Sequence, residues 1–124
     1  MASGANEILI VDRRVDPETL RRLVQDGFGD MVKYVVDVRR EVIGIGGELH
    51  ADAEEVLLDA GSRQEDLWGA NYYPGRGREA CVEFTSLINI SPARGNRGRE
   101  VADPALRERI HALTFALIGE GEGL

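Results

Sequence analysis

A chain of 124 residues has room for one domain, and 43% hydrophobic with 30% charged residues is a globular balance that excludes a wholly disordered chain. No apolar run reaches the length of a membrane span, the first residues lack the basic and apolar regions of a signal peptide, and a net charge of −7 argues against general affinity for a nucleic-acid backbone. One cysteine, Cys81, rules out an internal disulfide and reads as a small buried hydrophobe, so a cytoplasmic protein without membrane or nucleic-acid partners is the expectation.

Residues 1–6 are small and polar and are expected to be disordered. Residues 7–11, EILIV, read as a short buried strand. Asp16-Pro17 then opens a helix, with Asp16 as cap, Pro17 in the first position and Val15 stapled to Leu20; Leu20, Leu23, Val24 and Phe28 form its apolar stripe, and Gly27 and Gly29 stop it. Residues 31–38 alternate as a second strand, with Val32, Tyr34, Val36 and Val38 on one face and Lys33, Val35 and Asp37 on the other. Residues 39–41 are the turn that follows.

The segment 41–54 carries the clearest pattern. At period two, Ile43, Ile45, Leu49, Ala51 and Ala53 fall on one row and Glu48, His50, Asp52 and Glu54 on the other. A sheet with one wet face shows the same alternation, so a solvated face stands beside a ligand site as a reading. The second half is ambiguous in structure too. A turn at 51–54 followed by a strand at 56–59 is preferred, while Leu49, Ala53, Val56, Leu57 and Ala60 also recur at helical spacing, with Asp52 as cap and Gly61 as terminator.

Residues 66–73 read as a strand built around Trp68, 74–78 as a loop, and 81–90 as a late strand alternating Val82, Phe84, Ser86, Ile88 and Ile90 against Glu83, Thr85, Leu87 and Asn89. Asp103-Pro104 repeats the earlier helix start, and Leu106, Ile110, Leu113 and Leu117 give a core-facing stripe. Residues 119–124 are expected to be flexible. The domain therefore spans 7–118 and is α+β: an antiparallel or mixed sheet of about five or six strands in a meander, with an N-terminal and a C-terminal helix packed on it. Exposed strand edges in such a sheet favour a homo-oligomer.

Two function classes fit these residues. In the first, a binding module, Glu48, His50, Asp52, Gln64, Asn71 and Asn89 line a polar cleft, and Arg94, Asn96 and Arg97 in the loop SPARGNRGRE hold a small anionic ligand. Surface arginines in a mobile loop are the plainer alternative for that loop. In the second, a divalent-metal-assisted hydrolase, His50 and Asp52 hold a metal ion completed by a third ligand from elsewhere, Glu48 or Glu54 acts as base, and Arg97 stabilises developing charge. His111, the other imidazole, reads as a surface or partly packed residue. There is no G-x-S-x-G elbow, C-x-x-C pair, P-loop or H-E-x-x-H, which removes most support for the classes those motifs mark.

The strings GDMVK, IGGELHADAE, GSRQEDLWG with Asn71, and SLINI followed by Gly95-Asn96-Arg97 resemble a family of small prokaryotic proteins filed as a domain of unknown function. The resemblance runs over nearly the whole chain, 7–118. It implies a single domain and transfers no catalytic residue.

Overall fold

In the computed structural model, which describes residues 7–124, the elements run β1 (Ile8–Val11), α1 (Pro17–Asp26), β2 (Val32–Asp37), β3 (Val42–Gly46), α2 (His50–Asp59), β4 (Leu67–Tyr72), β5 (Val82–Glu83) and α3 (Pro104–Leu117). The fold is α+β, and the expected disorder at 1–6 lies outside the described residues. Both Asp-Pro starts work as their chemistry demands. Asp16 accepts from the amides of Glu18 and Thr19, Asp103 accepts from Ala105, and each proline occupies a position where no amide is needed. Of the α1 stripe, Leu20, Leu23 and Val24 are buried with Val15, whereas Phe28 lies beyond the helix and is exposed.

The five strands lie in the order β1-β3-β2-β4-β5, every neighbouring pair antiparallel. This corrects the meander: β4 pairs with β2, not with β3. The reason is the segment 50–59, which is a helix and carries the chain across β2. Gly46 and Gly47 end β3 with φ of +112° and +85°, a conformation that breaks the alternating row before His50. His50, Ala53 and Leu57 then turn inward at helical spacing, so the preferred strand at 56–59 gives way to the helical alternative, with Leu49 rather than Asp52 at its cap.

Two crossovers interleave as a result. β1 and β2 are parallel with β3 between them, and β3 and β4 are parallel with β2 between them. Both advance the same way across the sheet in opposite strand directions, so right-handed connections must place α1 and α2 on opposite faces. The packing agrees. On one face α1 and α3 cover Val32, Tyr34, Val36, Ile43, Ile45, Trp68, Ala70 and Tyr72; on the other α2 covers Val35, Val42 and Leu67 through Ala53 and Leu57. The first face is tied to α3 by Tyr34 Oη and Thr114 Oγ1 at 2.5 Å; because the threonine hydroxyl donates to the Ile110 carbonyl, the tyrosine supplies the proton between them.

Late in the chain the expected strand at 81–90 is cut to Val82–Glu83, followed by a 3₁₀ turn at Leu87–Asn89. Ser86 caps that turn by accepting from the Ile88 amide, and the chain at 84–86 bonds to 99–101 instead of extending along β4. The C-terminal segment is also held rather than loose. Tyr72 Oη accepts from the Gly121 amide at 2.8 Å, Gly75 and Gly77 donate to the Gly121 carbonyl, and Arg78 pairs with Glu120 at 2.6 Å.

Candidate functional site

The face of the sheet under α2 carries two successive cross-strand rows of different character. Gly44, Val35 and Gly69 align across β3, β2 and β4, and their small size lets other groups come close. A Cβ on Gly44 would meet Leu57 at 3.3 Å, and one on Gly69 would sit 2.7 Å from Ser86 Cβ and 3.1 Å from His50 Cδ2. The next row is polar: Lys33, Asn71 and Glu83 lie side by side across β2, β4 and β5. Between that row, the start of α2 and the turn after β5 lies a cavity of about 400 Å³, lined by Lys33, Leu49, His50, Asn71, Ser86 and Arg99 among others. Such a volume suits a small ligand.

His50 is buried in its wall with Nε2 at 2.8 Å from the Ala70 carbonyl. A carbonyl only accepts, so Nε2 carries the proton, and in the neutral ring Nδ1 keeps a lone pair. Burial holds this imidazole below its ordinary value against the opposing pull of the Ala70 carbonyl; the Lys33 ammonium adds to the lowering, and the Asn71 side chain and Glu83 act the other way. Asn71 is only 7% exposed. Its Nδ2 donates to Glu83 at 2.8 Å, but its Oδ1 accepts nothing, and among the described residues no other buried side-chain oxygen or nitrogen lacks a partner. Lys33 and Arg99 form no ion pair or side-chain hydrogen bond with the described residues; the Lys33 ammonium lies 5.3 Å from the Phe28 ring. The N-terminus of α2 opens here too, since Leu49, His50 and Ala51 line the cavity and Leu49 offers no side-chain cap. Its first-turn amides and dipole favour an anion.

The polar cleft expected from the sequence does not assemble as one site. His50 and Asn71 meet, whereas Glu48 and Asp52 are exposed, Glu48 beside Phe28 in a separate groove. Gln64 donates to Glu54 at 3.3 Å and lines a different depression with Arg94. His50 and Asp52 sit two positions apart on a helix and so face apart, and among the described residues no three His, Cys, Asp or Glu side chains cluster as metal ligands would.

The anion loop also has another role. Arg94 stacks on Trp68 at 3.7 Å and donates to the carbonyls of Gln64, Glu65, Leu67 and Ile88, which makes it a clamp on the loop. Asn96 donates to the carbonyls of Asn89, Gly98 and Glu100 and accepts from Ala102. Asn89 pairs with both backbone groups of Gly69, at 2.8 and 3.0 Å, and so replaces the strand partner that the short β5 does not supply. Arg97 is exposed. His111 is half-buried between Phe84 and Phe115, and burial raises the Cys81 thiol, in keeping with a packing role. The groups that the sequence reading passed over are Lys33 and Ser86, whereas Arg99 belongs to the arginine loop read as a candidate anion holder. Lys33 had a signal: it is the chain's single lysine against fourteen arginines, placed in an otherwise apolar strand.

The chain belongs to the family described as "Protein of unknown function (DUF5674)", whose model matches residues 9–117. No curated protein and no solved structure matches it. No helix among the described residues is long and apolar enough to cross a membrane.

Proposed function

We propose that this protein is a binding module for a small anionic ligand, seated in the cavity between the Lys33–Asn71–Glu83 row and the N-terminus of α2. The observation that carries the reading is the concentration of unspent polar capacity at one cavity: among the described residues, two cations that form no ion pair and one buried amide oxygen without a donor. Buried polar groups are almost always paired within a folded chain, so an unpaired one in a cavity wall suits a partner from outside. Lys33 and Arg99 supply charge, the α2 amides supply directed donors, and Asn71 with His50 selects for a ligand that carries an N–H or O–H beside its anionic group. A binding role requires no nucleophile. The open outer edge of β1, with Ile10 exposed, fits a homo-oligomer as the working form.

The single lysine provides the test. Reductive methylation with a ¹³C label puts one side-chain probe at Lys33, and titration with inorganic phosphate or acetate is expected to shift its resonance and to raise the melting temperature by linkage. Lys33→Ala and Arg99→Ala should each remove most of the thermal shift, and Arg97→Ala should retain it. Equal losses from Arg97→Ala and Lys33→Ala, or no response to either anion, would sink the reading.

A further inference from the structure

The cavity that holds the cations has an apolar mouth. Leu49 and Leu87 line it, yet they are 58% and 69% exposed, which leaves two large aliphatic side chains in water at the opening. Leu49 also lines a second groove of about 290 Å³ with Gly27, Phe28 and Glu48. Phe28, 44% exposed, forms the far wall of that groove and lies under the Lys33 ammonium. The two depressions therefore share one wall residue, Leu49, and the Lys33 ammonium that lines the first lies 5.3 Å from the phenylalanine ring of the second. Ala51 and Ile88 add to the apolar lining of the first.

We propose that the ligand of this site is an amphipathic hydroxy monocarboxylate, its carboxylate held by Lys33 and Arg99, a hydroxyl beside the carboxylate donating to Asn71, and its hydrocarbon body running over Leu49 toward Phe28. This rests on the anion-binding reading above and adds the chemical class of the ligand. Charge complementarity fixes the direction. Both cations belong to the inner cavity, whereas the outer groove contains the Glu48 carboxylate, which repels an anionic head and leaves the apolar end to lie there. The other nearby carboxylate, Glu83, is engaged by Asn71 and by the Tyr73 hydroxyl at 3.0 Å and so does not compete for the cations. Two exposed leucines and a phenylalanine around a charged cavity are hydrophobic surface that a purely polar ion would leave uncovered.

Calorimetric titration of the full chain with glycolate, 2-hydroxyhexanoate and 2-hydroxyoctanoate separates the possibilities. Affinity is expected to rise with chain length by up to about fourfold per methylene, the factor for a fully buried CH₂. Leu49→Ala and Leu87→Ala, both at exposed positions, should flatten that series and leave glycolate binding intact; alanine adds no cap that would compete for the first-turn amides of α2. Leu58→Ala, on α2 but outside both depressions, should keep the wild-type series. Equal affinity for all three acids, equal affinity for hexanoate and 2-hydroxyhexanoate, or a chain-length gain that survives the changes at both Leu49 and Leu87, overturns this inference and leaves anion binding standing. Self-association that those two changes abolish, with no gain for 2-hydroxyoctanoate over glycolate, also overturns it and assigns the face to contact between copies. Failure of glycolate and phosphate to bind at all would remove the anion-binding reading together with this one.

Discussion

Two buried polar clusters lie within one strand of each other, and they differ in whether their hydrogen-bonding capacity is used up. Around Asn89 and Asn96 it is: Asn89 closes both backbone groups of Gly69 and reaches the Arg99 carbonyl, while Asn96 ties together the carbonyls of Asn89, Gly98 and Glu100 and the amide of Ala102. Around His50 and Asn71 it is not, because among the described residues Asn71 Oδ1 has no donor and the neutral imidazole retains a lone pair on Nδ1. Chemically similar amides thus do different things. Satisfied ones replace missing backbone pairing and act as scaffold, and an unsatisfied one beside cations and a cavity is where a ligand fits.

The comparison can be broken from either side. The largest effect is expected at the scaffold: Asn89→Ala leaves the Gly69 amide and carbonyl buried without partners and should cost about 3 kcal/mol in denaturant unfolding. A loss below about 1 kcal/mol would mean that water takes over the role of the side chain. Asn71→Leu tests the other cluster, where an apolar side chain of similar size removes an orphaned acceptor as well as the bond to Glu83. Stability should stay within about 1 kcal/mol of wild type, and the affinity for inorganic phosphate, whose P–OH can donate to the amide oxygen, should fall about fivefold, the factor for one net hydrogen bond. If stability collapses and affinity holds, Asn71 is scaffold after all.

The smallest effect is electrostatic. Burial depresses the imidazole of His50, so below the unfolded value of about 6.5 the unfolded chain binds a proton that the folded chain refuses. Stability from this source is therefore fully present above that pH and is lost as pH falls below it. His111 is depressed in the same direction, by burial first and then by Arg107 and Arg78, so both imidazoles contribute. His50→Gln keeps a donor for Ala70 and does not titrate. Its stability deficit against wild type should shrink between about pH 7 and pH 5, measured by urea unfolding at each pH. A deficit that is constant across that range would show that His50 is not held neutral by the fold.

Much of the fold was legible because its signals are local. The two Asp-Pro helix starts, the alternation in β2 and the apolar stripe of α3 each follow from steric and hydrogen-bonding rules that act within a few residues. His50 and Asn71, which line one cavity, were legible as candidate site residues by type. The alternating row at 41–54 misled, since the same residues also fit a helix and the choice turned on Gly46. There a Cβ would sit 2.1 Å from the Glu7 carbonyl oxygen, a constraint that comes from a strand nearly forty positions earlier. The arginine loop misled for a similar reason: Arg94 spends most of its donors on the carbonyls of Gln64, Glu65 and Leu67 and its face on Trp68, all distant from it in sequence.

By itself, then, the sequence determined the α+β class and the places where α1 and α3 begin, because those depend on periodicity, capping and composition. Only the tertiary structure decided the strand order, the placement of α2 on the face opposite α1, and the meeting of Lys33, His50, Asn71 and Arg99 at one cavity. The physical reason is that strand register and crossover handedness bring distant residues into one row, and whether a polar side chain is scaffold or site depends on which partners that row leaves it.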